Sequence, residues 1–206
     1  MKLRYESGEQ DKLKQIFVLL NCLEAEKQHS RFCFDLYKKE NVSWDIEHIS
    51  SQTDRTMDAK EREIWINLVR DELSYEDRLS FDGMDEFVDK WSFVWEKFDG
   101  SEDRVKESDK DALGNLVLLD SNTNRSYKNA ILPVKRTKIL FESENENKYI
   151  LPCTRAAFSK AYSSHAAQMR YWSENDAKEY LKAMMSLAND FLNKPRMLAE
   201  AKEVEE

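Results

Sequence analysis

Apolar residues recur at three- and four-residue steps near the start of the chain. Leu13, Ile16, Phe17, Leu20 and Leu23 mark one stripe of an amphipathic helix over residues 9–27. Residues 31–38 alternate, with Phe32, Phe34 and Leu36 on one side, as a short extended piece or the start of a helix. Residues 44–49 read as a strand, with Trp44, Ile46 and His48 on one face and Asp45, Glu47 and Ile49 on the other. Helical spacing returns over 58–73 and 84–98. The second stretch carries Phe87, Trp91, Val94, Trp95 and Phe98 on one stripe, which is expected to be core.

A charged linker over 100–111 leads to an apolar strand at 116–119. The spacing then predicts a short helix over 121–130, with Ser121 or Asn122 as its cap. Pro133 opens another helix that carries Lys135, Arg136, Ile139, Leu140 and Phe141. Residues 149–152 are a brief extended piece. Two helices follow, over 154–162 and 173–192, and Ser173 with Asp176 has the spacing of a capping box.

The chain has 206 residues, of which only 4 are Gly and 3 are Pro, and this favours a helix-rich fold with few long loops. At 41% hydrophobic it can build a core. No run approaches the roughly 18 apolar residues of a membrane span, and residues 1–14 are too polar for a signal peptide. The expected setting is therefore cytoplasmic, with no membrane partner. Cys22, Cys33 and Cys153 are far apart and form no CxxC pair, so they are expected as reduced thiols.

The formal net charge of −8 argues against nucleic-acid binding when taken as a total. Its distribution changes that picture. Acid gathers in the middle helices, from Asp71 to Asp89, and in the tail. Base gathers at Arg125, Lys128, Lys135, Arg136 and Lys138. A local basic strip governs phosphate docking more than the total does, because salt screens charges beyond roughly 8–10 Å.

That strip follows two segments that bear chemistry. Trp44-Asp45-Ile46-Glu47-His48-Ile49 ends a strand on an acid and a histidine. Leu113-Gly114-Asn115 precedes the second strand, and Asn124-Arg125 follows it. Imidazole exchanges protons near neutral pH, so His48 is the candidate general base for activating a water. A base needs its other ring nitrogen fixed, and the Asn115 carbonyl oxygen is the candidate for that role. Glu47 and Asn124 offer one carboxylate and one amide oxygen, a sparse shell for a hard divalent cation such as Mg2+ or Mn2+. Adjacent strand residues point to opposite faces, so joint use of Glu47 and His48 requires the strand to end or kink there. Ser50-Ser51 permits that. The joint order of acid-His, Asn and Asn carries the reading, and no single residue does.

The segments DIEHISSQT and LGNLVLLDSNTNRSYKNAILPVKR resemble the HNH domain at the C-terminus of GmrSD-type proteins, which are modification-dependent restriction and phage-defence nucleases. The likeness extends to Arg31-Phe32-Cys33-Phe34-Asp35 and to Tyr149-Ile150-Leu151-Pro152-Cys153-Thr154, and so covers roughly residues 12–192. The core motif is also similar to the HNH domain of CRISPR effector nucleases.

The resemblance implies an α+β, mostly helical fold with a ββα-metal (His-Me finger) core and helical elaborations at both ends. It implies metal-dependent cutting of DNA with little sequence specificity. His48 would be the base, with Asn115 supporting it, and Glu47 and Asn124 would be ligands to Mg2+ or Mn2+. Arg125, Lys128, Lys135 and Arg136 would contact phosphate. Family members carry a ParB-like nucleotide-binding sensor with an Asp-Gly-Gln-Gln-Arg motif that this sequence lacks. The expected partner is therefore DNA, together with a sensor supplied N-terminally or as a separate subunit. Ser50-Ser51 and Leu132-Pro133 depart from the family pattern in ways that bear on packing.

The expected organisation is an N-terminal helical segment over 1–43, a core over 44–136 with a helical insertion at 54–111, and a C-terminal helical segment over 137–206, all in one compact unit. The competing reading is a catalytically silent helical interaction or DNA-docking module whose HNH core is structural. The acidic balance and the helical insertion favour that reading.

Overall fold

The computed structural model describes residues 4–5, 8–50, 59–99, 102–127, 130–142 and 148–203. The described chain is mostly helical around one small sheet. Helix α1 (Gln10–Lys27) buries Leu13, Phe17 and Leu20, the stripe that the spacing marks. The ambiguous segment after it resolves as one helical turn, α2 (Phe34–Tyr37).

Strand β1 (Trp44–His48) pairs antiparallel with β2 (Leu116–Asp120), in a register that sets Trp44 opposite Asp120 and His48 opposite Leu116. Every residue of β2 is buried. Leu118 is covered on one side of the chain's path by Thr154, whose hydroxyl donates to the Leu118 carbonyl at 2.6 Å. Asp45 and Glu47 are only half-buried, as alternation on a half-covered strand requires.

Between the strands lie α3 (Ala59–Val69), a 3₁₀ turn (Arg70–Glu72), α4 (Tyr75–Asp82) and α5 (Phe87–Asp99). The sequence reading has no helix at α4. Only Phe81 of that helix is buried, so it carries too little apolar stripe to be seen, and Ser74 starts it by accepting from the Asp77 N–H at 3.2 Å. On α5 the aromatic stripe is core as expected. Val94 and Phe98 are buried, and Phe87, Trp91 and Trp95 pack partly covered against them.

Helix α6 (Ser121–Tyr127) follows β2 directly and packs back on both strands. Its cap is not Ser121 or Asn122. The Asp120 carboxylate, at the last position of β2, accepts the Thr123 N–H at 3.0 Å and the Thr123 hydroxyl at 3.1 Å. Strand end and helix start thus share one residue. Helix α7 (Leu132–Arg136), opened by Pro133, passes into a π-helical segment, α8 (Thr137–Glu142). Helices α9 (Pro152–Phe158) and α10 (Glu174–Glu203) complete the order.

The capping box forms reciprocally. The Asp176 N–H donates to Ser173 Oγ at 3.0 Å, and the Ser173 N–H donates to Asp176 Oδ2 at 2.9 Å. Helix α1 packs against α9, α10 and both strands, so the sheet sits inside the molecule. Among the described residues no helix is long and apolar enough to cross a membrane. The three cysteines are free thiols. Cys33 is exposed, and burial pushes the Cys153 thiol far above its usual range.

Candidate active site

Strand β1 ends at His48, and Ile49-Ser50 form a bend. The strand therefore runs regularly through the acid-His pair and stops directly after it. Glu47 and His48 meet different partners, as neighbouring strand positions must.

The His48 ring is held on two sides. Its Nε2 lies 2.9 Å from Asp111 Oδ1, and the Tyr5 ring meets it edge-on with centroids 5.3 Å apart. An ionised carboxylate can only accept, so a neutral ring donating to it from Nε2 would carry its lone pair on Nδ1. Asp111 belongs to the segment that reads as a charged linker, one Asp among several. Nothing in the spacing distinguishes it, because a long insertion separates it from His48 in sequence.

Asn115 does not orient His48. Its side chain is fully buried, and its Oδ1 accepts the Ser50 N–H at 2.8 Å. Its Nδ2 donates to the Ser50 carbonyl at 3.0 Å and to the Lys110 carbonyl at 2.8 Å. Its backbone carbonyl takes the Ile49 N–H at 2.8 Å. Asn115 therefore clamps the bend that follows the acid-His pair, and it acts on the histidine through the backbone. The buried Lys110 adds to this clamp, with Nζ 2.7 Å from the Ser50 hydroxyl. A side-chain amide beside a strand end meets unpaired backbone groups, and the Asn115 amide pairs with three of them.

Gly114 sets how closely the next helix approaches. A Cβ there would stand 2.4 Å from the Ala177 carbonyl oxygen of α10, and the Gly114 carbonyl accepts from the Trp172 indole at 3.2 Å. The Gly-Asn turn is thus a backbone contact with α10 as well as the clamp on β1.

Lys135 is not a surface phosphate contact. Its side chain is 0% exposed, and its ammonium lies 2.5 Å from Glu47 Oε1 while also donating to the His48 carbonyl. It faces inward because α7 is surrounded, with Leu132, Val134 and Lys135 all buried. Arg136 is also engaged, since its Nε donates to the Phe158 carbonyl at 3.1 Å and its guanidinium lies over Phe141. Lys128 lies outside the described residues, as does the side chain of Arg125. His29 and His165 are exposed, as expected.

Among the described residues Glu47 Oε2 and the half-buried Asn124 amide have no hydrogen-bond partner. The Glu47 side chain is 12% exposed, so it is reachable. One carboxylate oxygen and one amide oxygen are hard ligands that suit Mg2+ or Mn2+, with the other positions left to water and phosphate. Among the described residues no three His, Cys, Asp or Glu side chains gather as a metal site.

Residues 1–187 match the model of the family described as GmrSD restriction endonucleases, C-terminal domain. No curated protein and no solved structure matches the chain.

Proposed function

The chain belongs to the family of GmrSD restriction endonuclease C-terminal domains, and on that premise we propose that it is the nuclease effector of a restriction or anti-phage system. It would cut DNA phosphodiester bonds by an HNH mechanism with little sequence specificity. In this reading β1, β2 and α6 are the ββα-metal core, and the insertion between the strands is an elaboration of it.

The observation that carries the reading is the held imidazole. His48 has one ring nitrogen on Asp111 and the other uncommitted among the described residues, at the end of a strand whose next turn is clamped by Asn115. A base fixed in tautomer and direction is what in-line attack by water needs. His48 Nδ1 would take the proton from water, and Asp111 would steady the imidazolium that results. Magnesium or manganese held by Glu47 and Asn124 would supply charge neutralisation at the scissile phosphate. Asn115 and Lys110 keep the bend from relaxing. Arg125 and Lys128 are proposed to meet DNA phosphates, and a ParB-like sensor, N-terminal or separate, to control access.

Cleavage of a labelled duplex by Glu47→Ala and Asn124→Ala tests the ligand assignment. Each variant should cut at least about a hundredfold more slowly, with partial recovery at high Mn2+. Wild-type rates in both would sink the assignment.

A further inference from the structure

Lys135 is spent on neither solvent nor substrate. Its ammonium is buried, sits on one oxygen of the proposed ligand carboxylate and reaches the backbone carbonyl of the proposed base. A buried lysine with a carboxylate partner forms a neutral pair. The Asn124 amide adds no charge. Within the Glu47–Lys135 pair the carboxylate's charge is therefore offset before any cation arrives. Divalent cations bind oxygen sites according to the negative charge those sites supply, and a fixed ammonium on the same carboxylate repels them.

We propose that Lys135 pre-neutralises Glu47, so that a divalent cation binds the Glu47–Asn124 pair weakly alone and firmly only together with a DNA phosphate. The phosphate supplies the negative charge that Lys135 has cancelled. Metal loading and substrate binding are then coupled, and each must raise the affinity for the other by the same factor. An effector built this way holds little metal until DNA is in place. This proposal rests on the metal-nuclease reading given above.

The test measures Mn2+ affinity by calorimetry and DNA affinity by fluorescence anisotropy. All proteins carry His48→Ala, which leaves the backbone carbonyl that Lys135 touches but prevents cutting. With the native lysine, DNA affinity should rise at least about tenfold on adding Mn2+, and Mn2+ affinity should rise equally on adding DNA. Lys135→Met keeps the length and removes the charge. It should bind Mn2+ without DNA at least about tenfold more tightly, and the coupling should shrink.

Unchanged or weaker Mn2+ binding in Lys135→Met overturns the proposal and leaves the lysine a structural strut. Should Lys135→Met fail to fold, the native-lysine protein decides alone, because equal Mn2+ affinity with and without DNA overturns the proposal. The metal reading itself fails in a different way. Glu47→Gln would then leave Mn2+ affinity unchanged in the presence of DNA, or no Mn2+ would bind under either condition, and the proposal would fall with it.

Discussion

At the residue scale the site is a histidine whose surroundings are assembled from far along the chain. Asp111 touches His48 directly, and on the proposed reading it holds the ring. Asp111→Asn can keep the contact but lets the ring take either tautomer. Its kcat should fall about 10- to 100-fold while DNA affinity stays within about twofold. A loss confined to affinity would remove Asp111 from this role. Asn115 belongs to stability first. Asn115→Ala strands the Ser50 N–H, the Ser50 carbonyl and the Lys110 carbonyl, three groups that the amide now pairs. Urea unfolding should register a loss of about 2–4 kcal/mol. A loss below about 0.5 kcal/mol would mean that the bend holds without it.

Both strands were legible in the sequence, and the acid-His pair and both asparagines stand out as candidates because they are local to them. Their partners were not. Asp111 and Lys135 are ordinary charged residues until the fold sets them against His48 and Glu47. A basic residue near a phosphate motif reads as a DNA contact unless burial is known. Lys135 shows how burial reverses that reading, since an ammonium without solvent must pair with an anion.

At the element scale two contacts tie α10 to its neighbours, beside its packing against α1. The first is the Gly114 approach. Gly114→Ala would place a methyl against the Ala177 carbonyl, and backbone cannot yield as a side-chain tip can. It should destabilise the fold by about 1–3 kcal/mol and lower activity by shifting the turn that bears Asn115. Unaltered melting and activity would contradict that link.

The second contact is the buried pair of Lys160 and Asp176, at 2.7 Å and 1% side-chain exposure on each partner. Burial alone would raise the Asp176 carboxyl. The Lys160 ammonium, the Ser163 hydroxyl and the Ser173 cap outweigh it and hold the group below the ordinary Asp range. A depressed folded-state pKa gives stability that is complete above the unfolded value, about 4, and is lost as pH falls through the folded value. Unfolding free energy should therefore drop on acidification below about pH 4, and Asp176→Asn should flatten that drop. An equal acid slope in the variant would assign the slope to other carboxylates. The Ser173–Asp176 spacing revealed the cap, but its link to Lys160 required the chain to return from the loop after α9. Helix α4 was invisible for a similar reason, because its one buried side chain sets no period.

At the scale of the whole molecule the acidic total and the proposed DNA substrate pull in opposite directions. A net charge of −8 gives little long-range attraction to DNA. On the proposed reading, docking would depend on a few local contacts, on the proposed metal and on whatever the proposed sensor contributes. Affinity should show a shallow salt dependence, with a log–log slope of magnitude below about 4, since few phosphates are neutralised by side chains. A slope as steep as about 8 would mean that an extended basic surface does the binding.

Nicking of supercoiled plasmid in Mn2+, with EDTA and His48→Ala as controls and the proposed ParB-like nucleotide-binding sensor added where the protein alone is inactive, tests the central claim most directly. The expected result is metal-dependent conversion to open circles by the native protein and none by a His48→Ala protein that melts at the native temperature. Cleavage that persists in folded His48→Ala, or that survives EDTA, would contradict the assignment of His48 as the base of a metal-dependent nuclease.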